Sequence, residues 1–382
     1  MTAITLDAAD RRRSLAAIIG AGFGTGMGVG AVLPLLTLLM ERDGVDNLVI
    51  GLNSAMFPLA ILTCGPFIPR IARRFGTLAA LYVGIGIFMA VIPLYWLSPF
   101  WAWFPLRFIA GASGALYWIV SETWINLVAT DENRGRVTAI YATVLTAGFT
   151  LGPFIIGAIG IDGFAPFGAA LAANLLVLPP LAFARRLVPD LSGQAPMRFR
   201  RGFAAAPAIF VAVIAGGLSD LAAITLLPIY GLEGGLDREG ATLLLAIFCA
   251  GNAVLQWPLG WLADRLGRYR VLVWTVAAVF VGAVLLPLAA DTRGPLWLLL
   301  FVWGGAGFGI YTVALALLGE KIPPGELAAA NTLFVMIYEI GSLSGPVLAG
   351  GAMDLVGRQG MPLVVALATA GFLVFAVVRR RS

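Results

Sequence analysis

Histidine is absent from the 382 residues, lysine occurs once, at Lys321, and only 12% of the chain is charged. The missing histidine removes the commonest zinc ligand and the commonest general base. The low charge excludes an ordinary soluble domain, in which about a quarter of residues are charged. Two cysteines, Cys64 and Cys249, sit inside apolar runs and read as small buried side chains rather than a disulfide or a metal site. Apolar residues, in contrast, make up 60% of the chain, with a mean hydropathy of +0.94. So little polar surface cannot cover so large an apolar core in water, and the bilayer is its natural solvent.

The pI of about 9.6 could suggest nucleic acid. The 24 arginines argue against it, because most lie in short clusters between apolar runs, as topology signals do. Arg11, Arg12 and Arg13 precede an apolar stretch reaching about Met40. That stretch outruns the ~7–15 residues of a cleavable signal, so it reads as a retained first span.

A span needs ~20 apolar residues. Twelve such runs are expected, near Ser14–Met40, Asn47–Pro69, Thr77–Leu97, Pro99–Val128, Val137–Gly160, Gly163–Ala184, Phe203–Tyr230, Gly240–Ala263, Val271–Ala290, Pro295–Leu318, Leu327–Met353 and Met361–Val378. The expected fold is an all-α membrane protein of two six-helix bundles, residues 1–187 and 203–382, joined by a linker at 188–202. Alternating the loops between two sides puts 20 of the 25 basic residues on one side and leaves Arg42, Arg238, Arg293 and Arg358 on the other, with Arg107 inside a span. The positive-inside rule then places both termini in the cytoplasm. Trp96, Trp101 and Trp103 read as an outer aromatic belt, and Trp124, Trp257, Trp261 and Trp274 as an inner one.

The halves repeat. "GFTLGPFIIG" (Gly148–Gly157) matches "GSLSGPVLAG" (Gly341–Gly350), and "GASGALY" (Gly111–Tyr117) matches "GAGFGIY" (Gly305–Tyr311). "PRIARRFG" (Pro69–Gly76) aligns with "GWLADRLG", which begins at Gly260. A near-constant offset of this kind indicates two parallel repeats.

With twelve spans, this repeat, a basic central loop and G-x-x-x-D-R-x-G-R at Gly260, Asp264, Arg265, Gly267 and Arg268, the chain resembles the major facilitator superfamily of secondary transporters. "SETWINLVATDENRGRVTAIY" (Ser121–Tyr141) is similar to its YcaD-like branch. The resemblance implies a bacterial inner-membrane protein that moves a small molecule by alternating access, as a monomer, without enzyme activity or cofactor. It also implies that the charged loop latches a cytoplasmic gate, the alternative being a loop that only holds topology. Asp264 would face the start of the fifth span near Arg134 and Arg136. Arg73, which replaces the acid in the first half, would face Glu326.

Four ionisable residues lie within spans: Arg107, Glu122, Asp220 and Glu339. Mid-bilayer charge is costly, so these are candidate proton or substrate groups. Each has a structural alternative: an arginine reaching the interface, acids held by a fixed partner, or, for Glu122, a solvated helix end or a pair with a loop arginine. Gly111, Gly114, Trp118 and Ser121 follow Arg107 at spacings of three or four and share its face. Asn252 and Gln256, at i and i+4, read as helix glue rather than substrate contacts. Gly148, Gly152, Pro153 and Gly157 resemble an antiporter motif, and with Gly341, Gly345 and Pro346 they are expected to let the two halves approach closely. Protons are the expected coupling ion and export the favoured direction. The rivals are an uncoupled facilitator, a membrane-embedded enzyme, for which no acid or metal cluster is visible, and a non-transporting membrane protein.

Overall fold

The computed structural model describes residues 7–130, 134–189, 207–290, 292–321 and 327–381. Among these residues every regular element is helical: α1 (Ala8–Arg42), α2 (Asn47–Cys64), α3 (Ile68–Phe75), α4 (Thr77–Leu97), α5 (Trp103–Val128), α6 (Arg134–Ile159), α7 (Ala165–Leu175), α8 (Leu178–Phe183), α9 (Pro207–Glu233), α10 (Arg238–Leu266), α11 (Arg268–Ala289), α12 (Arg293–Lys321), α13 (Leu327–Val356) and α14 (Gly360–Arg381). Ten described segments are long and apolar enough to cross a membrane; one of them, Leu333–Val378, spans most of α13 and α14. Helices suit this setting because they satisfy every backbone polar group internally.

The chain forms two compact units, one of residues 1–35 and 59–195, the other of 36–58 and 196–382. The expected linker at 188–202 lies mostly outside the described residues.

In the first unit, α1 carries glycine at every second position from Gly20 to Gly30. Successive glycines lie on nearly opposite faces of a helix, whereas every second one shares a face. A side chain at Gly22, Gly26 or Gly30 would meet Tyr141, Leu145 or Phe149 of α6. One at Gly20, Gly24 or Gly28 would meet Pro180, Val177 or Asn174. The period of two is therefore two interleaved stripes, each letting α1 approach a different neighbour. From α6, Gly148 and Gly152 close the same crossing against Phe23 and Gly30. This corrects the expectation that these glycines serve contact between halves: they pack α6 on α1 within one unit. Past Pro153, α6 continues as a helix to Ile159.

The second unit repeats the device. Gly341 and Gly345 of α13 meet Ile214 and Leu218 of α9, while Gly217 of α9 meets the Tyr338 carbonyl. At a second crossing Gly251 of α10 meets the Phe301 backbone of α12, and Gly304 of α12 meets the Phe248 backbone of α10. The carbonyl of Pro346 lies against Gly51, a first-half residue by sequence that folds into this unit.

The turns before α4 and α11 also match. Gly76 has φ +88° and ψ 151°, and Gly267 has φ +94° and ψ 126°, a region that side chains with a Cβ rarely enter. The two loops aligned by sequence thus turn alike, although their charges differ.

The aromatic belts need one correction each. Trp96, Trp101, Trp257, Trp261 and Trp274 are exposed on the protein surface. Trp103 and Trp124 are buried, their indole N–H groups donating to the Tyr95 carbonyl (2.9 Å) and Ser14 Oγ (2.8 Å). Both are core residues whose polar tips are satisfied inside the protein.

Candidate functional site

Helix α9 is buried almost along its whole length, and Asp220 sits near its middle with only 1% exposure. Its Oδ2 accepts a hydrogen bond from the Tyr338 hydroxyl of α13, at 3.0 Å. Its Oδ1 is buried without a hydrogen-bond partner. Gly307 of α12 makes room for that oxygen: a Cβ there would stand 2.7 Å from it. The Tyr338 ring packs edge-on against Tyr311 at 5.0 Å, and Tyr311 likewise against Phe334 at 5.0 Å. No lysine or arginine pairs with Asp220 among the described residues. Three helices of the second unit thus converge on a carboxyl held by one phenol in an apolar cage. An isolated carboxylate is expensive in such surroundings unless a cation or water enters.

Glu339 follows Tyr338 on α13 and is half-buried. It has no hydrogen bond or ion pair among the described residues. The structure therefore brings Asp220 together with Tyr338, not with Glu339.

In the first unit Arg107 is 2% exposed, with the Tyr95 phenol as an electrostatic neighbour. It is enclosed by protein and does not reach out to an interface. The remaining members of its stripe divide. Ser121 is buried, its hydroxyl donating to the Tyr117 carbonyl at 2.6 Å, whereas Trp118 is 44% exposed. The Trp118 indole donates to Glu122 Oε1 at 2.8 Å. Glu122 is half-buried and lies near the phenol of Tyr141. Among the described residues it makes no ion pair, and the side chains of the loop arginines Arg134 and Arg136 lie outside them. Each unit thus holds an acid whose described hydrogen-bond donor is an aromatic side chain, Trp118 for Glu122 and Tyr338 for Asp220.

The Asn252–Gln256 pair is glue. Gln256 Nε2 donates to Asn252 Oδ1 at 2.6 Å, and Thr312 of α12 donates to Gln256 Oε1 at 2.6 Å, tying α10 to α12.

The charged loop between α10 and α11 is organised around Arg268. Its Nη2 lies 3.1 Å from Asp264 Oδ1 and its Nε 3.3 Å from Glu320 Oε1, while Nη1 donates to the Ala316 carbonyl at 2.7 Å. A cation at the carboxyl end of α12 is favoured by the helix dipole and by the unsatisfied carbonyls there. Arg265 instead stacks on Trp261, 4.1 Å from the ring centroid. The partners expected for Asp264 and Arg73, namely the side chains of Arg134 and Arg136 and Glu326, lie outside the described residues.

A further contact was not foreseen from the sequence. The Asp354 carboxylate on α13 accepts hydrogen bonds from the backbone N–H of Asn47 (3.0 Å) and of Leu48 (2.8 Å). It caps the first turn of α2 from another helix. The Asn47 side chain also donates to Glu233 Oε1 at 3.0 Å. Nothing in the spacing of Asp354 and Asn47, 307 residues apart, reveals the pairing.

The family model of the Major Facilitator Superfamily matches residues 18–346 and 208–382. The chain is 26% identical over 339 residues to YfkF of Bacillus subtilis, described as an uncharacterized MFS-type transporter, covering 86% of each chain. It is 28% identical over 362 residues to YcaD of Salmonella paratyphi A, described likewise, covering 92% of each. Among solved structures, a variant of the nucleoside transporter NupG superposes with a TM-score of 0.78 at 14% identity, covering 96% of this chain and 99% of the other. A bacterial homolog of the human lysosomal transporter Spinster, inward-facing and unoccupied, gives 0.72 at 15% identity, covering 97% and 96%.

Proposed function

This chain belongs to the Major Facilitator Superfamily, and on that premise we propose that it is a proton-coupled secondary transporter that exports a small molecule by alternating access. In this reading twelve spans form two six-helix halves, 1–187 and 203–382, in a bacterial inner membrane, with both termini cytoplasmic. Such transporters place substrate and coupling-ion groups near the bilayer midplane and rock one half against the other.

The observation that carries the proposal is Asp220. A carboxyl at 1% exposure, bonded on one oxygen only and without a described cation, suits reversible protonation better than structural duty. A structural acid would have both oxygens satisfied. Glu339, one residue from Tyr338, is the second candidate for the proton path. Arg107 and the Trp118–Glu122 pair supply the polar groups of the first half, Arg107 as an organising cation or an anion contact. The Asp354 cap and the Arg268 cluster are the contacts that would be made in some states of the cycle and broken in others.

The test uses the full chain in liposomes containing a pH dye, with an imposed proton gradient. A panel of amphipathic cations and small organic acids is added to wild type, Asp220→Asn and Glu339→Gln. The proposal expects substrate-dependent proton flux in wild type and its loss in Asp220→Asn. Substrate flux without proton movement, unchanged in both variants, would establish an uncoupled facilitator instead.

A further inference from the structure

We propose that the second unit holds a specific site for an anionic phospholipid, with one acyl chain lying in a groove formed by α10, α11 and α12 and the headgroup phosphate at Arg265 and Arg270. The groove encloses about 380 Å³. Its walls include Leu255, Leu259, Trp261, Trp274, Ala278 and Val302.

The lining excludes a polar ligand. Its one hydroxyl, Thr275, donates to the Leu272 carbonyl of its own helix at 2.8 Å. What remains is hydrocarbon and two indole faces. Trp261 and Trp274 are about half exposed, at 47% and 51%. Their N–H groups have no partner among the described residues, so they can donate to the ester carbonyls of a glycerolipid. Tryptophan is favoured at this depth because one end of it is apolar and the other polar.

Position and charge select the rest of the molecule. The lining residues of α10 occupy its last turns and those of α11 its first, so the groove opens beside the charged loop. Leu255 precedes Arg265 by ten residues, so the groove runs ~15 Å below the arginines at 1.5 Å per residue. That depth accommodates most of an acyl chain. Arg265 and Arg270 are exposed and make no ion pair among the described residues. Arg268, between them, is occupied by Asp264 and Glu320. The stacking of Arg265 on Trp261 holds its guanidinium directly over the groove wall. Arg265 over the groove wall and Arg270, one helical turn before the lining Trp274 on α11, supply two guanidinium groups that fit a phosphate diester with one net negative charge and disfavour a zwitterionic headgroup.

Native mass spectrometry of the full chain in detergent, with dioleoyl-phosphatidylglycerol or dioleoyl-phosphatidylcholine added in equal amounts, tests the site. Two basic groups, each worth roughly a factor of five near a charged surface, predict a ~30-fold preference for phosphatidylglycerol. Arg265→Gln/Arg270→Gln should bring that preference close to unity, and Arg265→Lys/Arg270→Lys should restore most of it. Ala278→Trp, which fills the groove and leaves the arginines in place, should abolish retention of the first bound lipid. Leu262→Trp, from the facing helix, should do the same, which guards against a folding defect in either variant. An unchanged preference in the double glutamine variant, or undiminished phosphatidylglycerol retention in both tryptophan variants, would overturn the proposal.

Discussion

Removing the Asp354 carboxylate should release the first turn of α2, and the size of the effect follows from the contact. The first N–H groups of a helix have no partner within it. Here, among the described residues, those of Asn47 and Leu48 are held by Asp354 alone, at 3.0 and 2.8 Å. A hydrogen bond to a charged acceptor is worth ~1.5–3 kcal/mol when shielded from water. Asp354 is exposed, so we take ~1 kcal/mol for each bond, or ~2 kcal/mol together with the favourable helix dipole. That corresponds to a ~30-fold change in local opening. Hydrogen–deuterium exchange read at single-residue resolution is the direct assay. In Asp354→Ala the amides of Asn47 and Leu48 should exchange ~10–30-fold faster, because Asp354 is their described hydrogen-bond acceptor. The amides of Val276 and Val279 inside α11 serve as the internal reference and should not move. Asp354→Asn, which keeps one acceptor oxygen and loses the charge, should fall between. Exchange at Asn47 and Leu48 within about twofold of wild type would refute the cap, since ~2 kcal/mol cannot vanish from a local opening equilibrium. If α2 changes partners during transport, the same substitution should also alter the transport rate in liposomes.

Gly307→Ala should impair coupled transport more than folding. Its methyl would stand 2.7 Å from Asp220 Oδ1, an overpacking of ~1–3 kcal/mol that displaces the acid; proton flux and Tm measured on one preparation separate the two effects. Gly26→Leu should prevent normal assembly of the first unit, because the side chain would meet the Leu145 backbone of α6 and backbone cannot yield as a side-chain tip can; folded yield by size-exclusion chromatography reads it. Gly267→Ala should destabilise the protein by ~1–3 kcal/mol, the cost of a disfavoured backbone region, since φ is +94° there; a lowered Tm reads it, and an unchanged Tm would refute the strain. Arg268→Ala should cost little, ~1 kcal/mol or less, because its two acid partners are 68% and 51% exposed.

Parts of this architecture were legible in the sequence because they rest on local regularities. Long apolar runs without charge require helices in a bilayer, and an offset repeated across several motifs requires repeated structure. The aligned glycines Gly76 and Gly267 show how far that reasoning reaches: the positive φ at both follows from the residue type and the helix break, whatever the flanking charges. Asp220 and Glu122 were also visible, since a lone acid in an apolar run stands out on cost alone.

Tertiary structure decided the partners. The alternating glycines of α1 carried no message about two neighbours until α6 and α7–α8 were in place on either side. Trp103 and Trp124 resemble belt residues in sequence, because burial of an indole depends on what lies across from it. Tyr338, one of the many aromatics, gained its role by meeting Asp220 across helices, and Gly307 by leaving that oxygen space. Asp354 found Asn47 and Leu48 from the far end of the chain. Composition and periodicity report what each segment costs in water or lipid, and so determine that this chain is helical and buried in a membrane. Hydrogen bonds and close contacts between segments distant in sequence depend on three-dimensional placement, and only the fold assigns them.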